Sequence, residues 1–209
     1  MRWVKQTVSY WCDDIKSGKC MGKGVCIAVL DTGISDHPDL EGRTVGFRDF
    51  VGNSMKYNDD SGHGTHVAGI LSGSGRVSNG LYAGMAPEAS LLVGKVLDRE
   101  GNGNVENVIA GIRWILEQKD RYGVRIVNIS VGTQPDLAMY QKCLFLDAVE
   151  ELWDSGLVVA VSAGNYGPGA GTVAVPGTSR KVITVGVPDT ELPPVQRRRK
   201  IVNYSGRGP

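Results

Sequence analysis

Two of the chain's three histidines sit three residues apart, in Asp59-Asp60-Ser61-Gly62-His63-Gly64-Thr65-His66-Val67-Ala68-Gly69. Imidazole is the side chain that gains and loses a proton near neutral pH, so this segment is the first place to look for proton transfer. Glycines on both sides of His63 let another backbone approach its ring. A histidine acting as general base needs a carboxylate to hold its tautomer. Asp31 is the natural partner, because it closes the apolar run Val25–Leu30 and a buried carboxylate must be paired to stay ionised. Each piece also has a plainer reading. Asp31-Thr32-Gly33 is good turn chemistry, and a lone histidine on a helix is usually a satisfied core residue. A metal site built from His63, His66 and Asp60 is the third reading. It is disfavoured because helical zinc motifs place histidines at i and i+4 around a glutamate, and that glutamate is missing here.

Such side chains must be carried by something rigid. Apolar runs of strand length lie at Val25–Leu30, Ser90–Leu97, Arg125–Ser130, Leu157–Ser162 and Lys181–Gly186. They are nearly continuous in Val, Ile and Leu, as strands buried on both faces of a parallel sheet are. Between them, Val105, Val108, Ile109, Ile112, Ile115 and Leu116 fall on one face of a helix, as do Phe145, Ala148, Val149 and Leu152. Asp136 is a candidate cap for the second of these helices, and a shorter helix is expected from about His63 to Leu71. Strand–helix alternation predicts an α/β fold: a doubly wound, mostly parallel sheet with helices on both faces. Sites in such sheets lie beyond the carboxyl ends of the strands. Asp31, Ser130-Val131-Gly132 and Ser162-Ala163-Gly164-Asn165 all follow expected strands directly. Ser72–Gly84 and Pro188–Lys200 read as loops. The run Arg197–Lys200 within the latter reads as a solvated loop rather than a nucleic-acid patch.

The 209 residues are 41% hydrophobic and 22% charged, with a formal net charge of +1. That balance excludes a coiled coil, a membrane bundle and a disordered tail, and it gives no reason to expect nucleic-acid or membrane partners. Glycine is the outlier: 29 residues, about 14%, is roughly twice ordinary usage. Cys12, Cys20, Cys26 and Cys143 form no Cys-x-x-Cys pair and are read as free thiols in a reducing compartment, in preference to a Cys12–Cys20 bridge. No apolar secretory segment follows Met1, so the expected location is cytoplasmic.

The blocks quoted above, in their order, resemble the subtilisin family of serine proteases. Val29-Leu30-Asp31-Thr32-Gly33-Ile34, His37-Pro38-Asp39-Leu40 and Gly62-His63-Gly64-Thr65-His66-Val67-Ala68-Gly69 carry the likeness first. Tyr82–Ala89, Lys95-Val96-Leu97, Ile126–Gly132, Ser162–Asn165 and Ser205–Pro209 extend it from about Gly24 onward. The intracellular bacterial branch looks most similar. The resemblance implies hydrolysis of peptide bonds through an Asp-His-Ser triad, with His63 as general base, Asp31 as its orienter and Asn165 as an oxyanion-hole donor. It implies that Gly101-Asn102-Gly103 and Ser130-Val131-Gly132 clamp an extended peptide by strand addition. Ser162-Ala163-Gly164 would wall the primary specificity pocket, with Tyr166 at its rim.

The resemblance is incomplete at one point. The family's nucleophile lies in a Gly-Thr-Ser-Met-Ala segment after the Ser-x-x-Gly-Pro block, and these 209 residues contain no such segment. Gly177-Thr178-Ser179 precedes that block and runs into a strand, so Ser179 is rejected. The expected organisation is a lead-in over residues 1–23 and a partial catalytic domain over residues 24–209. With the helix that carries the nucleophile absent, the strands Val25–Leu30, Ile126–Ile129 and Val158–Val161 are expected to be left uncovered on one face. The competing function is a non-catalytic module that only holds extended peptides. The partners implied are polypeptide substrates and an inhibitory propeptide. No cofactor is expected. Asp39 matches a calcium-ligand position in some subtilisins, but Ser74–Leu81 is short and unlike their ligand loop, so calcium is left open and no metal is assigned.

Overall fold

The computed structural model describes residues 5, 10, 17–18, 20–134, 138–187 and 204–208. Cys12, Asp136, the Pro188–Lys200 loop and Pro209 therefore lie outside the described residues. The chain divides into two compact units, Met1–Asn128 and Ile129–Pro209.

The first unit is built on strands β1 (Cys26–Asp31), β2 (Thr44–Asp49) and β3 (Ser90–Lys95), with β4 (Val124–Ile129) reaching its boundary. The order is β2-β3-β1-β4. Both β1 and β2 pair with β3 in parallel, and the registers Asp31↔Lys95 and Asp49↔Lys95 align three charged residues at the strands' carboxyl ends. All three are buried. β3 stops at Lys95 rather than Leu97 because Val96 and Leu97 both donate their N–H groups to the Asp31 carbonyl.

Helices cover both faces of this sheet. Ile27, Val29, Leu91 and Val93 pack on one side with Ala68, Val67 and Leu71 of α1 (His63–Ser72). On the other side lies α2 (Val105–Tyr122), whose Gly111 brings the helix down onto Leu30 and Val96. Trp114 of this helix meets Phe50 edge-on, with ring centroids 5.9 Å apart. α2 ends where its sequence dictates. Asn104 caps its start by accepting the Asn107 N–H at 2.7 Å, and Gly123 closes it in the left-handed region. The expected bare face on Val25–Leu30 is not found here: Ala28, Val29 and Leu30 are fully buried between the two helix layers.

The second unit holds α3 (Met139–Asp154), β5 (Val158–Ser162) and β6 (Ile183–Val185), the two strands pairing in parallel. α3 buries Phe145, Val149 and Leu152, the face expected from periodicity. Ala138 occupies its cap position with no side-chain cap bond. Here the strands do leave apolar surface open. Val158 is 42% exposed, Ile183 52% and Val185 57%. β2 is the strand the sequence reading lacks. Its Thr-Val-Gly-Phe-Arg-Asp run has a single large aromatic anchor, Phe47, and only pairing with β3 makes it a strand.

Candidate active site

Asp31 is the last residue of β1 and is completely buried. His63 is the first residue of α1. The strand end and the helix start converge, so that His63 Nδ1 lies 2.6 Å from Asp31 Oδ1. Because a carboxylate only accepts, Nδ1 carries the proton, and Nε2 is the basic nitrogen of the neutral ring. The imidazole is 53% exposed. Asp31 Oδ1 also accepts the Thr32 N–H at 2.7 Å, whereas Oδ2 is buried with no hydrogen-bond partner.

α1 begins without an ordinary cap. Gly62 occupies that position at φ 85° with no side chain to offer. Its first-turn N–H groups are instead taken by residues from other segments. Thr32 Oγ1 accepts the Gly64 N–H at 2.9 Å, and Asp59 accepts the N–H groups of Gly62 at 2.9 Å and Thr65 at 2.8 Å. Asp59 also accepts the hydroxyls of Thr32 at 2.8 Å and Thr65 at 2.5 Å. Burial pushes the Asp59 carboxyl up, but these hydrogen bonds outweigh it and hold its pKa below the ordinary aspartate value. From the opposite side, the buried Lys95 donates its Nζ to the Thr32 carbonyl at 2.7 Å. Asp59, Thr32 and Lys95 were not singled out by sequence reasoning. A carboxylate a few residues ahead of a helix start is a signal that could have found Asp59.

Gly101-Asn102-Gly103 is exposed and forms a turn closed by Asp98, which accepts the Asn102 N–H at 2.8 Å and donates its own N–H to the Asn102 carbonyl. Both backbone groups of Asn102 are thus engaged inside the turn. In the second unit, Gly132 and Gly164 both close against Ala174, which is fully buried. Thr133 and Val175 exchange backbone hydrogen bonds, and Ala163 accepts the Ala174 N–H. The 130–132 and 162–164 segments are therefore laced to one central strip, with Gly206 donating to the Gly164 carbonyl. Asn165 and Tyr166 follow as exposed residues. Ser179 donates its hydroxyl to Glu150 Oε1 at 2.8 Å and accepts the Lys181 N–H at 3.1 Å.

The metal readings find no support in the donor geometry. His66 lines a cleft of about 510 Å³ with His37, Asp39 and Tyr82. Among the described residues, no group of three or more His, Cys, Asp or Glu side chains is placed to hold a metal ion. Asp39 Oδ1 accepts the Val77 N–H at 2.9 Å, and the Asp39 carbonyl accepts the Ser74 N–H at 2.8 Å. Cys20, Cys26 and Cys143 are free thiols.

A strand-end aspartate thus bonds a helix-start histidine on a parallel sheet covered by helices on both faces. Residues 22–209 match the model of the subtilase family, and the chain belongs to that family. It is 43% identical over 202 residues to the serine protease AprX of Bacillus subtilis, covering 93% of this chain and 45% of that protein. It is 39% identical to an intracellular serine protease of Paenibacillus polymyxa, covering 79% of this chain and 50% of the relative. Among solved structures, sphericase superposes with a TM-score of 0.73 at 32% identity, covering 88% of this chain and 59% of that one. A cold-adapted subtilisin-like serine proteinase gives a TM-score of 0.66 at 30% identity, covering 79% and 55%. The mostly parallel α/β fold expected from the sequence is thus the fold of a subtilisin-like serine protease. The chain spans about half the length of the curated relatives it matches.

Proposed function

We propose that this chain supplies the aspartate and histidine of an Asp-His-Ser triad that hydrolyses peptide bonds. The observation that carries this reading is the 2.6 Å hydrogen bond from His63 Nδ1 to the buried Asp31 Oδ1. It leaves Nε2 of the neutral ring basic, as a general base requires. In the reaction, a serine Oγ attacks the substrate carbonyl carbon while His63 Nε2 takes the hydroxyl proton. Asp31 stabilises the resulting imidazolium. Asn165 donates to the oxyanion of the tetrahedral intermediate. Collapse of that intermediate breaks the C–N bond, and the proton on His63 passes to the departing amine. Water then repeats the sequence on the acyl-serine. The reading requires a serine nucleophile that these 209 residues do not carry in the family's Gly-Thr-Ser-Met-Ala context. Ser130-Val131-Gly132 and Gly101-Asn102-Gly103 are the proposed peptide-binding segments, and Ser162-Ala163-Gly164 the proposed pocket wall. The intracellular serine proteases among its relatives support a cytoplasmic location, although others of comparable identity are named extracellular.

The test begins with the reading frame beyond codon 209. A Gly-Thr-Ser-Met-Ala segment is expected there. The protein including it should cleave fluorogenic peptides, be inactivated by a serine-directed phosphonate and lose turnover in Asp31→Asn. An extended protein that retains full turnover in His63→Ala would overturn the reading.

A further inference from the structure

Thr32 stands between the two residues of the proposed catalytic pair, adjacent in sequence to Asp31 and bonded to the residue after His63. All of its polar atoms are engaged. Its N–H donates to Asp31 Oδ1 at 2.7 Å and its carbonyl accepts Lys95 Nζ at 2.7 Å. Its hydroxyl donates to Asp59 Oδ1 at 2.8 Å and accepts the Gly64 N–H at 2.9 Å. A hydroxyl has one proton to donate, so the Asp59 bond fixes the rotor and turns a lone pair towards Gly64. Asp59 in turn grips the helix start through Gly62 and Thr65. The residue is 1% exposed, so water does not replace any of these bonds.

We propose that Thr32 is a positioning residue: its hydroxyl, oriented by Asp59, bridges the end of β1 to the start of α1 and thereby sets the Asp31–His63 hydrogen bond. The chemistry favours the bridge as the setting device. Asp31 is held at Oδ1 alone, since Oδ2 has no partner, so its carboxylate plane is not fixed by its own bonds. Gly62 brings no cap side chain, so the first turn of α1 depends on bonds from elsewhere. The only described bonds that tie the strand-end residues Asp31 and Thr32 to the first turn of α1, apart from the catalytic one, are those through the Thr32 hydroxyl. Loosening it lets a ring and a carboxylate drift by fractions of an ångström. At such sites that is enough to lose a productive geometry.

This proposal rests on the Asp31–His63 pair but not on turnover, so it is tested by the proton in that bond. Proton NMR of the 209-residue chain, labelled with ¹⁵N-histidine, should show a far-downfield Nδ1 proton assigned to His63 by its loss in His63→Ala. Thr32→Val keeps the shape of the side chain and removes the hydroxyl. It should melt cooperatively yet lose that resonance or move it upfield. Thr32→Ser restores the hydroxyl and should restore the resonance. An unchanged downfield proton in a cooperatively folded Thr32→Val overturns the proposal while leaving the pair intact. Absence of the resonance from the unsubstituted chain overturns the pair itself, and the proposed function with it. If Thr32→Val does not fold, Asp59→Asn is read in the same way. Failure of both to fold makes the bridge a folding element and likewise overturns its positioning role.

Discussion

His63 and Asp31 share a 2.6 Å hydrogen bond whose two ends lie in different environments: the imidazole is 53% exposed and the carboxylate 0%. The buried end is shielded from water, so its attraction for the ring is little screened. The exposed end leaves the ring accessible to a substrate. The asymmetry arises because a strand end in the sheet's interior meets the first turn of a surface helix. Four measurements test this chain's close contacts, its acid behaviour and its alternative site readings.

Gly64 and Gly69 lie in the same helix, α1, and propensity alone predicts that alanine at either stabilises it by about 0.5–1 kcal/mol. The structure splits the two. A Cβ on Gly69 meets nothing within 4 Å, whereas one on Gly64 would stand 2.2 Å from the Gly33 carbonyl and 3.2 Å from Asp31 Oδ1. Gly69→Ala should therefore raise the melting temperature, and Gly64→Ala should lower it and displace His63 from Asp31. Equal shifts of one sign in thermal melts would contradict the close approach of α1 to the Asp31–Gly33 corner.

Asp59 titrates below its ordinary value of 3.8 in the folded chain, because hydrogen bonds to its ionised form outweigh burial. A depressed folded pKa contributes stability that is fully present above the unfolded value. That contribution is lost as pH falls through the folded one. Urea melts should therefore show stability falling as pH drops below about 4. Asp59→Asn should be less stable at neutral pH and should have a flatter acid limb. A variant whose acid limb is as steep as the parent's would show that other carboxylates dominate there.

Asp39 is bonded by the backbone of the 74–77 segment, so the turn closes on protein donors. Addition of EDTA should leave the melting temperature unchanged. Asp39→Ala should lower stability by about 0.5–1.5 kcal/mol, the scale of one ordinary hydrogen bond, with or without calcium. A melting temperature that rises with calcium and falls back in Asp39→Ala would show that a cation does bind at this residue.

Ser179 is tied to Glu150 and Lys181, and among the described residues no histidine bonds to it. The 209-residue chain should show no phosphonate-sensitive cleavage of fluorogenic peptides, and Ser179→Ala should change only stability. Cleavage abolished by Ser179→Ala would make this serine the nucleophile after all.

Much of the site could be read along the chain. Apolar runs marked where β1, β3, β4 and β5 form, because strands buried on both faces need uninterrupted Val, Ile and Leu. The helical spacing of Val105 to Leu116 marked α2, and Asp31 and His63 stood out as a strand-end carboxylate and a glycine-flanked imidazole. These are local properties, decided by residue type and period. What the tertiary structure alone decided is non-local. Thr44–Asp49 becomes a strand only because β3 offers it a ladder. Asp59 serves as the cap that Gly62 lacks only because the loop before α1 folds back onto its first turn. Thr32 is a bridge only because β1 and α1 meet. The expected exposure of β1 fails, while Val158, Ile183 and Val185 remain open. The physical reason is the same in each case. A sequence period says which face of an element is apolar, but which surface or donor meets that face is set by packing between segments far apart in the chain.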